Sequence, residues 1–152
     1  MTPKRSRTGR LSLVGGVAAL VLGLAVAYQP VASSAAPGIA APVVTVTPST
    51  GLSDNDTVEV DATGLTPSTL QHVGQCIFVN PVTFACNEPE LVHVSSDSSG
   101  AISDVELTVR RTFTATLADG TVWGTADCDV MQCFVGVGDD TGNGGGAPIS
   151  FS

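Results

Sequence analysis

Beyond residue 10 the chain carries only two cationic side chains, Arg110 and Arg111, and no lysine. The other four cations, Lys4, Arg5, Arg7 and Arg10, sit in the first ten residues, whereas all fourteen carboxylates follow residue 50. Affinity for nucleic acid or anionic lipid comes from Lys and Arg displacing counterions, so a direct nucleic-acid reader is excluded. Several catalytic signatures are missing too. There is no G-x-S-x-G elbow for a serine hydrolase and no C-x-x-C for a thioredoxin-like redox site. Asp139 and Asp140 lack the oxygen-ligand spacing of an EF loop and read as part of a solvated loop. The glycines at 142 to 146 precede no helix that would make them a phosphate cradle, and read as a flexible loop. His72 and His93 stand in separate segments without a companion cluster, which marks surface or partly buried side chains. No catalytic residue and no metal site is expected, and the chain does not read as an enzyme.

What is present begins with export. The four early cations precede a 17-residue apolar run, Leu11 to Ala27, and a small-residue stretch, VASSAAPGIA. This is the pattern of a secretory signal peptide, residues 1–40, removed by cleavage after Ala40 or, on the same small-residue rule, after Ala36. The run is at the lower limit for crossing a bilayer and no cationic stop follows it, so no membrane anchor is expected to remain. The secreted part, residues 41–152, then makes one domain of 112 residues with a modest core. Its two cations against fourteen carboxylates leave a net charge of −12.

Four cysteines in an exported chain favour two disulfides over free thiols. Three pairings of Cys76, Cys86, Cys128 and Cys133 are open. Pairing of sequence neighbours would pin two short local loops, and the C-x4-C spacing of Cys128 and Cys133 is poor for zinc without further ligands.

No segment after residue 40 has helical periodicity, and short alternating runs bounded by Gly, Pro, Asn, Asp and Ser recur instead. Strands are expected at 43–48, 57–64, 69–80 and 91–97. The clearest is 101–113, with Val105, Leu107 and Val109 inward and Asp104, Glu106 and Thr108 outward. On it, Arg110 and Arg111 would point to opposite faces and answer nearby carboxylates. Residues 114–125 read as a hairpin on Asp119-Gly120, a primed-turn dipeptide. CFVGVGDD and APISFS supply the last strands, with TGNGGG between them as a loop. About seven strands over 112 residues describe an all-β, Ig-like antiparallel sandwich with additional ribbons. Trp123 is expected to pack on that framework.

The stretches APVVTVTPSTGLSDNDTVEV, HVGQC, LTVRR and DGTVWGTADC, with GNG followed by APISFS, together resemble the neocarzinostatin family of enediyne-antibiotic apoproteins. The resemblance covers essentially all of residues 41–152. It implies a seven-stranded Ig-like sandwich whose flanking ribbons form a ligand cleft, and the local pairing Cys76–Cys86 and Cys128–Cys133, with both bridges at or under the cleft. It further implies a secreted, monomeric carrier that holds a labile enediyne chromophore without a covalent bond. Antimicrobial, DNA-damaging activity would then belong to the ligand, with the acidic protein never reading DNA itself. Such a carrier needs an apolar slot, no free thiol, and no base aimed at its cargo.

Carried over position by position, the cleft of this chain would use Phe78, Phe84 and Leu91. Thr116 and Ala118 stand where the family pattern has two phenylalanines. Phe134 replaces a polar residue, with Gly136 and Gly138 following on its face. The three phenylalanines compete with plain core filling. A secreted Ig-like domain without a chromophore, using its acidic face for protein contacts, is the alternative reading.

Overall fold

The computed structural model describes residues 41–152. The signal peptide expected at 1–40 lies outside the described residues. Among the described residues there is no helix beyond a single 3-10 turn, Glu88–Glu90, and none long and apolar enough to cross a membrane.

Ten strands follow in chain order. They are β1 (Val43–Thr47), β2 (Thr57–Thr63), β3 (Leu70–Asn80), β4 (Thr83–Cys86), β5 (Val92–Ser95), β6 (Ile102–Thr108), β7 (Thr112–Leu117), β8 (Val122–Asp127), β9 (Cys133–Gly138) and β10 (Gly144–Ile149). One sheet orders as β1-β2-β6 and the other as β10-β9-β3-β4-β7-β8, with β5 also paired to β3. The first half of the 11-residue strand β3 pairs with β5, and its second half leaves that partner to pair with β4. Three outer strands and the four inner strands β10, β9, β3 and β5 make the expected seven-stranded sandwich. The second half of β3 with β4, and the β7–β8 hairpin, are the ribbons.

Alternation sets the core. Val58, Val60 and Ala62 of β2 and Val105 and Leu107 of β6 are buried with Val73, Ile77, Val135 and Val137 of the opposite sheet. In β6 a bulge sets Ile102 opposite Ala62 after Val105 has paired Val60, with Asp104 at φ 55°. The irregularity keeps both apolar side chains inside, which strict alternation would not.

Residues 101–113 are not one strand. The chain leaves the outer sheet at Thr108 and enters the inner sheet at Thr112, so Arg110 and Arg111 occupy a corner between sheets. Buried Gln75 holds this corner: its Oε1 accepts from Arg110 N–H at 2.7 Å, and its Nε2 donates to Arg110 C=O at 2.6 Å. Asp54 accepts from Arg111 N–H at 2.9 Å. The two arginines do answer carboxylates, Arg110 with Glu90 at 2.7 Å and Arg111 with Asp129 at 2.8 Å.

Two turns also differ from expectation. At the β7–β8 hairpin only Gly120 has positive φ, 82°, and Leu117 C=O accepts from Gly120 N–H while its N–H donates to Thr121 C=O. That is a three-residue loop with glycine at the left-handed position, in place of a two-residue primed turn. Further on, the glycine run is largely strand, since Gly144, Gly145 and Gly146 pair with Gly138, Val137 and Gly136. A Cβ on Gly144 would meet Val137 O at 2.7 Å, and one on Gly145 would meet Pro42 O at 2.6 Å. These glycines let backbones approach closely.

Candidate functional site

On β3, His72, Gly74, Cys76 and Phe78 alternate onto one face, and strand register aligns neighbours beside them. His72 pairs Gly138 on β9 and His93 on β5; Gly74 pairs Gly136; Cys76 pairs Phe134 and Cys86. Gly136 in turn pairs Gly146, and Gly138 pairs Gly144. The outcome is a floor in rows: imidazoles at one end, bare backbone of Gly146, Gly136 and Gly74 in the middle, a disulfide and aromatic rings at the other.

Above this floor opens a cleft of about 1170 Å³. Phe78, Phe84, Leu91, Phe134, Gly136 and Gly138 all line it, as do Thr116 and Ala118 from the β7 side. The volume lies just above the roughly 300–1,000 Å³ typical of small-molecule sites. Phe78 and Phe134 stack with centroids 4.5 Å apart and planes 22° apart. Phe78 stays 60% exposed and Phe84 49%, so these rings form walls and do not plug the hollow. Phe113 is the ring that fills the core. Phenylalanines at 116 and 118 would take up more of this wall than Thr116 and Ala118 do.

Both disulfides have the local pairing, Cys76–Cys86 and Cys128–Cys133, and no free cysteine remains. They differ in placement. Cys76–Cys86 lies in the cleft floor, whereas Cys128–Cys133 bridges the turn between β8 and β9 and neither of its residues lines the cleft. Of the expected placements at or under the cleft, Cys76–Cys86 takes the first and Cys133, core-facing on the floor strand β9, the second. The reason is register: Cys133 pairs Ile77 and faces the core with it, opposite in parity to Phe134. Trp123 is 44% exposed and also stands apart from the lining.

A family model described as the Neocarzinostatin family matches residues 44–151. The chain belongs to the neocarzinostatin family. Macromomycin of Streptomyces macromomyceticus is 47% identical over 113 residues, 74% of this chain and 78% of that protein. The antitumor antibiotic C-1027 apoprotein of Streptomyces globisporus is 33% identical over 147 residues, 97% of each. The solved structure of macromomycin superposes with a TM-score of 0.69 at 48% identity, covering 74% of this chain and 100% of that one.

Two parts of this neocarzinostatin-family cleft escaped the reading of the sequence. One is the pair His72 and His93: partly buried and exposed respectively, as expected, the two rings nevertheless meet and line the cleft. Their Nδ1 atoms are 2.8 Å apart, and His72 Nε2 is 3.0 Å from Asp140 Oδ1. The parity of residues 72, 74, 76 and 78 was the signal that could have placed His72. The second is Asp139, expected in a solvated loop and found buried. Its Oδ1 accepts from Thr141 Oγ1 at 2.6 Å and from the Thr141 and Asn143 amides, and its Oδ2 accepts from Thr66 Oγ1 at 2.6 Å. The rim loop is therefore pinned by hydrogen bonds.

The Thr141 and Thr66 hydroxyls, aided by the two amides and opposed by desolvation, pull the Asp139 carboxyl down to about 2. A folded-state value below the ordinary 3.8 means that this contribution to stability is present above that value and lost as pH falls toward about 2. Asp139→Asn should accordingly flatten the dependence of melting temperature on pH within that window, measured against the parent protein by calorimetry. Parallel curves would show that the network does not couple to folding.

Proposed function

We propose that this protein is a secreted apoprotein that binds a labile enediyne-type chromophore without a covalent bond, protects it and releases it. The observation that carries the reading is the open cleft, with its stacked Phe78–Phe134 wall and a floor of glycine backbone and disulfide, in a member of this family. The relatives support it: one is named as the apoprotein of an antitumor antibiotic.

The chemistry of the lining suits a reactive guest. The exposed face of Phe78 offers stacking to a flat ring system. Every cysteine is oxidised, so the protein presents no thiol that would attack an enediyne. Exclusion of water and thiols is the protein's share, and bond-making and bond-breaking belong to the guest. Because residues 41–152 carry a net −12, the protein and DNA repel each other, and the guest leaves before it acts on DNA. The cationic, apolar and small-residue order of residues 1–40 supports export. Phe78, Phe84, Leu91, Thr116, Ala118, Phe134, Gly136 and Gly138 form the contact set in this reading, and a monomer suffices because one chain supplies every wall.

The test uses protein recovered from the culture medium of its producing organism. Residues 41–152 contain one tryptophan and no tyrosine, so their own near-ultraviolet absorption is weak. Absorption beyond that of Trp123, removed by organic extraction, is the expected result. Its absence across culture conditions would point to a framework domain without cargo.

A further inference from the structure

The imidazole end of the cleft obeys a proton count that fixes its chemistry. Asp140 is a carboxylate and can only accept, so at 3.0 Å the hydrogen sits on His72 Nε2. The 2.8 Å contact between His72 Nδ1 and His93 Nδ1 needs one hydrogen between them. With both rings neutral, His72 has spent its only hydrogen on Asp140, so His93 must donate from Nδ1. That leaves His93 Nε2 as a bare lone pair. It has no protein partner among the described residues, on a ring that lines the cleft.

We infer that His93 Nε2 is the polar anchor of the cleft, an acceptor that recognises a hydrogen-bond donor on the guest, a hydroxyl or N–H group. His72 and Asp140 are positioning residues that set its tautomer. The inference rests on the carrier reading and adds to it a direction: the aromatic part of the guest lies toward Phe78 and Phe134, its donor toward β5. The cross-strand rows support this polarity. His72 is four residues from Cys76 along β3, so the two ends stand roughly 13 Å apart at strand spacing.

The same count predicts a reversal. Adding one proton, whichever ring carries the charge, leaves both existing hydrogen bonds in place and puts a hydrogen on His93 Nε2. The anchor then becomes a donor. The other ionisable groups that line the cleft are Glu88, Asp139 and Asp140, and no Lys or Arg does. Of these, Asp139 is committed to Thr66 and Thr141, while Asp140 already faces His72.

Carbazole and N-methylcarbazole are suitable probes, since they share a tricyclic frame and differ in one N–H that does not titrate in the working range. Residues 41–152 should bind carbazole about 10-fold more tightly at about pH 8, the worth of one net hydrogen bond. The preference should vanish in His93→Phe, which keeps a ring in place. Asp140→Ala should weaken it, and Asp140→Asn, which retains an acceptor oxygen, should restore it. Imidazole 15N shifts of the ligand-free protein provide a second readout: His72 with hydrogen on Nε2 and His93 with hydrogen on Nδ1. Equal binding of the two probes, or the opposite tautomers, would overturn the anchor and leave the carrier reading standing. Binding of neither probe would bring down both.

Discussion

Replacing Gln75 with leucine is expected to destabilise the protein by about 2–4 kcal/mol, because two backbone groups lose their partner and each unsatisfied polar group costs about 1–3 kcal/mol. Gln75 is fully buried and its side-chain amide closes both the N–H and the C=O of Arg110, at 2.7 and 2.6 Å. Those groups belong to the corner where the chain passes from the outer sheet to the inner one, so no strand ladder can take them over. Leucine matches the volume and removes only the polar contacts. For a domain of this size the change corresponds to a drop of roughly 10–15 °C in melting temperature. Urea unfolding followed by the fluorescence of Trp123 measures it, and a loss below about 1 kcal/mol would show that the corner is satisfied by water.

The second large effect concerns the cleft and should leave stability nearly untouched. Gly136 sits in the centre of the floor, between Gly74 and Gly146 on the neighbouring strands. A Cβ there would meet Phe134 Cε2 at 3.3 Å and no backbone atom closer than Gly145 O at 3.9 Å. Gly136→Leu therefore stands a branched side chain in the hollow where a guest would lie, and only the exposed edge of the Phe134 ring has to give by a few tenths of an ångström. Overlap with a guest costs about 3 kcal/mol, which is a loss of about 100-fold in affinity. Carbazole titration of the variant checks the loss, and thermal melting checks that the fold survives. Gly74 would be a poorer choice, since a Cβ at that position overlaps Leu91 Cδ2 before it reaches the cleft.

Much of the architecture could be read from the chain because burial on one face imposes a period of two. Val58, Val60 and Ala62, and Val105, Leu107 and Val109, are buried as their alternation requires. What that period cannot show is where a strand changes sheets. Leu107, Val109 and Phe113 continue an apolar series across the corner at Arg110 and Arg111, and only a distant side chain, Gln75, marks the break. The glycine run misled for a related reason. Turn composition and close backbone packing both call for glycine, and Gly144 to Gly146 serve the second purpose.

The cleft was legible unevenly. All eight residues carried over from the family resemblance line it, yet the histidines do as well, and they had been set aside for want of a cluster. Cross-strand register creates their contact: His72 and His93 are 21 residues apart and directly opposed. Asp140 joins them from a third segment, 68 residues from His72. No local pattern encodes such a meeting.

Titration of 15N-labelled residues 41–152 with carbazole, followed through backbone amide shifts, tests most directly whether the hollow between sandwich and ribbons is the binding site. The account predicts saturable shifts centred on Gly74, Cys76, Phe78, Gly136 and Gly138, with Val58, Val60 and Leu107 of the outer sheet unmoved. Shifts centred on Trp123 and the outer strands, or none at all at the limit of probe solubility, would contradict it.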